Sequence, residues 1–121
     1  MAGLLLDGAG VAKMDTLDKA LISLQRIHNL TEQFGLAIKQ KAPTGQFVQN
    51  IKRQLPSLAA NLKNQFGMIS DQATALNLAI SRGASEEVRL RTLREGIAQL
   101  KQALEIAVTQ VKTKHAMDKA H

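Results

Sequence analysis

Apolar residues recur at alternating spacings of three and four along most of this 121-residue chain. That spacing places apolar side chains on one side of an α-helix. The longest such stripe keeps one phase from residue 48 to residue 80. Its members are Val48, Ile51, Leu55, Leu58, Leu62, Phe66, Ile69, Ala73, Leu76 and Ile80. The stripe predicts one long helix, and the architecture depends on whether that helix is continuous.

Two further stripes flank the long one. The first comprises Leu17, Ala20, Leu24, Ile27, Thr31, Phe34 and Ile38, and the last comprises Leu90, Leu93, Ile97, Leu100, Leu104, Ala107 and Val111. Aromatic residues make up only 2% of the chain, a poor supply for a β-sheet fold, which relies on aromatic and β-branched side chains. The sequence therefore predicts an all-α fold.

The first helix is predicted to begin near Asp15 or Thr16, because both residue types cap helix N-termini well. It is predicted to end near Lys41, because Pro43 disfavours helical geometry in the residue before it. On this interpretation residues 1–14 form a flexible arm that precedes the helical domain.

The second helix is predicted to start after Thr44 and to end at Gly83, with a kink at Pro56. Ser85 is a good N-cap for the last helix. Helicity is predicted to fade beyond Lys114. The domain is accordingly predicted to cover residues 15–115, and residues 116–121 are predicted to form a flexible tail.

The doubtful point is the segment around Gly67, where Ser70 and Asp71 could start a new helix. A turn usually resets the apolar phase, and here the phase is unbroken. We therefore predict an antiparallel, up-down-up three-helix bundle with a long, Pro-kinked second helix. The alternative is a four-helix bundle with a turn near Gly67–Asp71.

No catalytic, cofactor-binding or metal-binding motif is present. The chain has no cysteine and only three histidines, and none has the spacing of a metal site. His28 is interpreted as a partly buried side chain bonded to Glu32, and a phosphorelay role for it is a minor hypothesis. The sequence therefore predicts a protein that is not an enzyme and has no cofactor.

The net charge of +6 and the pI of about 10.0 favour acidic partners. In the three-helix topology, six basic residues would gather at one end of the bundle. This candidate basic pole consists of Lys39, Lys41, Lys52, Arg53, Lys112 and Lys114. Its presence motivates an alternative function, in which a basic helical bundle binds nucleic acid.

The excess length of the second helix and several apolar residues outside the stripes favour a helical partner or self-association. The candidate partner-binding residues are Ala75, Leu76, Leu78, Ala79, Ile80, Val88 and Ile106. The primary hypothesis is a non-enzymatic interaction module, an adaptor or subunit of a larger assembly, that binds partner helices through its second and third helices. No stretch is long enough for a membrane span, and an intracellular location, in cytoplasm or nucleus, is expected.

Overall fold

The computed structural model describes residues 6–116, which form four α-helices. These are α1 (Gly8–Lys39), α2 (Gly45–Leu62), α3 (Gly67–Ser81) and α4 (Glu86–Lys114). Each helix packs against two others, in the cyclic order α1, α2, α3, α4 and back to α1. The fold is therefore an all-α four-helix bundle, and the prediction of three helices is wrong.

The predicted long helix is interrupted between α2 and α3. Phe66 has φ −137° and ψ 61°, outside the helical region. On either side the helical hydrogen-bond pattern persists: the Phe66 amide donates to the Leu62 carbonyl at 2.7 Å, and the Ser70 amide donates to the Phe66 carbonyl at 2.9 Å. The reversal thus needs few residues, and it lies slightly before the turn near Gly67–Asp71 that the four-helix alternative predicted.

A buried hydrogen bond joins the two helices at this reversal. The Ser70 hydroxyl donates to the Ala59 carbonyl at 2.7 Å, and the Ser70 residue is only 6% exposed. Ala59 lies in the last turn of α2 and Ser70 lies in the first turn of α3. The Ser70 hydroxyl therefore joins the end of α2 to the start of α3.

The predicted apolar stripes form the core of the bundle. Nearly every stripe residue is buried; the exceptions are Ile38, Val48, Phe66 and Leu90, which are partly buried against the core. Thr31, the polar member of the first stripe, is also buried, and its hydroxyl donates to the Ile27 carbonyl at 2.8 Å. The core prediction is thus confirmed although the helix count is not.

The first helix begins about two turns earlier than the predicted start near Asp15 or Thr16. Asp7 is its N-cap, and the Asp7 carboxylate accepts a hydrogen bond from the Gly10 amide at 2.7 Å. Two glycines in this first turn lower its intrinsic helix propensity, which explains why the sequence pattern favoured a later start.

Residues 8–14, which the sequence assigned to a flexible arm, belong to α1. The remaining arm residues 1–5 and the tail residues 117–121 lie outside the described residues. The end of α4 at Lys114 agrees with the prediction, and Pro56 lies inside α2 as expected. The kink at Pro56 stays a prediction.

The start of α1 is joined to the end of α4. The Asp7 amide donates to the His115 carbonyl at 3.1 Å. His115 Nδ1 lies 3.2 Å from the Asp7 carboxylate, and its Nε2 lies 3.3 Å from Lys13 Nζ. A neutral imidazole with its proton on Nδ1 satisfies both contacts. Hydrogen bonds from Gly10 and His115 lower the pKa of Asp7 against the opposing effect of burial.

A close approach between α3 and α4 depends on Gly96. A Cβ atom at this position would lie 2.5 and 2.8 Å from the two Cδ atoms of Leu76. Leu76 is buried in the core.

We expect Gly96→Ala to lower the free energy of unfolding by about 1 kcal/mol, because overpacking outweighs the gain of up to about 1 kcal/mol in helix propensity. Gly67→Ala is the matched control, since nothing lies within 4 Å of a Cβ there and its φ is not positive. Urea denaturation should show Gly67→Ala to be neutral or stabilising. Equal stability of the two variants would contradict this packing.

We expect Ser70→Ala to lower the free energy of unfolding by about 1–2 kcal/mol, because it removes a buried hydrogen bond. Ser81→Ala is the control: the Ser81 hydroxyl also donates to a carbonyl, that of Asn77, but it is exposed. The control should change stability by less than about 0.5 kcal/mol. A Ser70→Ala effect no larger than that of the control would exclude the proposed role in the reversal.

Candidate functional site

A concave feature lies between α1 and α4 and has a volume of about 470 Å³. We call it the α1–α4 groove. The residues that line it are Leu21, Leu24, Gln25, His28, Glu32, Arg94, Ile97, Ala98 and Lys101. On each helix they follow one another at spacings of one to four residues, so that they form a continuous strip beside the core stripe.

The floor of the α1–α4 groove is apolar and its rim is polar. Leu24 and Ile97 are buried and Leu21 is partly buried. Gln25 and His28 on the α1 side are exposed. A concave apolar floor with a few polar groups at its edge is the usual composition of a binding site.

One ion pair crosses the rim of the groove. Arg94 donates to both carboxylate oxygens of Glu32, at 3.2 Å through Nε and 3.0 Å through Nη2. A Cβ atom at Gly35 would lie 3.1 Å from Arg94 Nη2, so the missing side chain leaves room for the guanidinium group. The hydrogen bond from Arg94 lowers the pKa of Glu32; burial opposes it, and the nearby charges of Arg94 and His28 add to the lowering.

The interpretation of His28 is wrong. His28 is exposed, and the Glu32 carboxylate binds Arg94 from the neighbouring helix instead. An arginine can donate two parallel hydrogen bonds to a carboxylate, which makes it the stronger partner. In the part of the chain that the structure describes, no group of three His, Cys, Asp or Glu side chains is placed to hold a metal ion.

Part of the predicted partner-binding surface lies in a second, shallower groove between α3 and α4. This α3–α4 groove has a volume of about 320 Å³ and is lined by Gln72, Ala75, Leu76, Ala79, Thr92, Glu95, Gly96, Gln99 and Leu100. It brings together three of the predicted residues, Ala75, Leu76 and Ala79. Leu76 is nevertheless a core residue with little exposed surface.

The other predicted partner-binding residues are dispersed. Ile80 is buried in the core, and its prediction as a partner contact needs correction. Leu78, Val88 and Ile106 are exposed, but none lines either groove. Val88 and Ile106 are separated by about 27 Å along α4. The reversal at Phe66 folds the second half of the predicted long helix back into the bundle, where Ile80 becomes part of the core.

The candidate basic pole is also divided. With four helices, α4 runs back toward the start of α1, as the contact between Asp7 and His115 shows. Lys112 and Lys114 therefore lie at the opposite end of the bundle from Lys39 and Lys41. Lys52 and Arg53 lie in the middle of α2. The expected cluster of six basic residues rested on the three-helix topology and does not form.

Sequence reasoning did not single out most of the α1–α4 groove. Gln25, His28 and Glu32 follow one another at helical spacing beside the first stripe, and this polar row was the available signal. Arg94 and Lys101 form a corresponding row on α4. Because the rows lie on separate helices, they indicate a groove only once the two helices are known to be neighbours.

Comparison with protein-family models, with curated proteins and with solved structures finds no match to this chain. Among residues 6–116, no helix has the length and apolar content that crossing a bilayer requires. The groove geometry therefore carries the functional inference.

We expect Glu32→Gln to reduce stability at neutral pH by less than about 1 kcal/mol, because Glu32 and Arg94 are each about half-exposed. A carboxyl whose pKa is lowered on folding contributes stability above its ordinary pKa of 4.5. That contribution is lost as the pH falls through the lowered, folded-state pKa. Thermal unfolding at several pH values should show wild type and Glu32→Gln converging below pH 4.5. A constant difference down to the most acidic pH would contradict the ion pair's role.

Proposed function

We propose that this protein is a non-enzymatic interaction module, an adaptor or subunit of a larger assembly, which binds an amphipathic helix of a protein partner in the α1–α4 groove. The observation that carries the proposal is the groove itself, in which the partly buried Leu21 and the exposed Ala98 lie over the core residues Leu24 and Ile97, between two polar rims. An amphipathic helix matches such a surface, because its apolar side chains cover the floor while its polar ones reach the rims.

The dimensions of the groove suit a short helix. Its α1 rim runs from Leu21 to Glu32, which corresponds to about 16 Å, or about three helical turns. A partner helix of that length presents its contacts at spacings of three and four residues. The groove thus supports binding of a short motif more directly than it supports association over a large flat surface.

The chemistry of the rims also supports binding over catalysis. Gln25 presents a neutral amide, which is less costly to bury in an interface than a charge. Glu32 and Arg94 satisfy each other in an ion pair. Among the residues that line the groove there is no serine, threonine or cysteine that could act as a nucleophile beside His28.

The structure supports the α1–α4 groove better than two alternatives. These are the partner-binding surface predicted from the sequence and the binding of nucleic acid. Of the residues first predicted, Leu76 and Ile80 are core residues. The six residues of the candidate basic pole are divided between the two ends and the middle of the bundle, so that this cluster does not support nucleic-acid binding. The α1–α4 groove is therefore our proposed site.

The proposal can be tested by selecting helical peptides from a randomised display library on immobilised wild-type protein. Ala98→Trp fills the groove, and Ala60→Trp places the same side chain on the exposed surface of α2 as a matched control. We expect selected peptides to lose at least about tenfold in affinity for Ala98→Trp, because the bulky ring occupies the apolar floor that supplies most of the binding energy.

The same peptides should bind the Ala60→Trp control within about twofold of wild type, since that surface is outside the interface. Amide chemical-shift changes should map to residues 21–32 and 94–101. Peptides that bind equally well to Ala98→Trp, or that shift amides elsewhere, would contradict the proposed site.

A further inference from the structure

We infer that the partner helix is acidic along the side that contacts α4, and that its carboxylates bind Lys101 and Arg94. This inference rests on the proposed function, and it adds the charge of the partner. The groove is lined by two cations, Lys101 and Arg94, and by one carboxylate, Glu32. The lining therefore carries a net positive charge, which favours an anionic occupant.

Of the two cations that line the groove, Lys101 is the one with which no carboxylate of the described residues pairs. The ion pairs of residues 6–116 join Asp15 to Lys19 and Glu32 to Arg94, and Asp7 is hydrogen-bonded to His115. Lys101 takes part in none of them. Glu105 follows Lys101 by one turn of α4, but it neither lines the groove nor comes within ion-pair distance. A carboxylate from outside the chain could therefore pair with Lys101 without displacing an internal partner.

Arg94 offers a second contact to the same occupant. Its guanidinium group has five N–H donors, and two of them bind Glu32. The side chain is 52% exposed at the rim. Glu32 holds the planar group in a fixed orientation, which reduces the side-chain entropy lost when a further carboxylate binds. Arg94 is thus an oriented donor at the edge of the apolar floor.

The spacing of these two cations predicts a pattern in the partner. Arg94 and Lys101 are seven residues apart on α4, which corresponds to about 10.5 Å and nearly two full turns. A helix that lies along the groove would meet them with acidic residues about two turns apart. Apolar residues between these would cover Leu24 and Ile97. The opposite rim presents the neutral amide of Gln25 and the Glu32 carboxylate, which Arg94 already pairs, so it adds no cation for an acidic partner.

The inference predicts the composition of the selected peptides. Peptides that lose affinity for the Ala98→Trp variant should be enriched in Asp or Glu at two positions about two turns apart. Replacing those residues by Gln should weaken binding about fivefold or more, and raising the salt concentration should weaken binding of the acidic peptide selectively.

Lys101→Glu provides the reciprocal test on the protein. We expect it to weaken binding of the acidic peptide about tenfold, because attraction becomes repulsion. Lys63→Glu is the matched control, since Lys63 is an exposed lysine of the α2–α3 turn outside the groove. The control should change affinity by no more than about twofold, as expected for a distant surface charge.

The possible outcomes separate this inference from the function on which it rests. Acidic, groove-dependent peptides that are sensitive to Lys101→Glu support both. Groove-dependent peptides that are neutral or basic, or indifferent to Lys101→Glu, overturn the inference and leave the proposed function standing. A selection that returns no groove-dependent peptide overturns both.

Discussion

The architecture depends on the backbone reversal at Phe66, beside which a buried hydrogen bond from the Ser70 hydroxyl to the Ala59 carbonyl joins α2 to α3. Two short helices result where a continuous stripe of apolar residues would allow one long helix. A second pair of antiparallel helices then completes the bundle, and α4 returns along α1. Without the reversal, α4 would run in the opposite direction, and neither Arg94 nor His115 would meet its present partner.

The α1–α4 groove is a consequence of this arrangement. Two polar contacts hold the helices together at separate points: Glu32 with Arg94 toward one end, and Asp7 with His115 at the other. Between them, side chains flanking the core leave an open strip whose floor is apolar. Burial of more apolar surface stabilises a complex, so an amphipathic helix has a physical reason to bind there. The unmatched Lys101 supplies the preference for its charge.

The sequence predicts the helical class and nearly the whole core, because apolar periodicity reports which side of each helix is buried. It fails at the α2–α3 junction for a physical reason. Helical hydrogen bonds through Phe66 persist on both sides of the break, so the stripe keeps its phase through a reversal. The groove could not be predicted either, since Gln25 and Lys101 indicate a common surface only when the neighbours of α1 are known.

The direction of α4 relative to α1 tests this account most directly. The chain has no cysteine, so spin labels at Lys39→Cys and Lys112→Cys report one distance. The four-helix bundle places these positions about 40 Å apart along the helix axes, because the contacts of Asp7 with His115 and of Glu32 with Arg94 put Lys112 level with residues 10–14 of α1. Pulsed electron paramagnetic resonance should give a distribution centred at or above that distance. A distribution centred near about 15–20 Å, as an up-down-up three-helix bundle requires, would contradict the account.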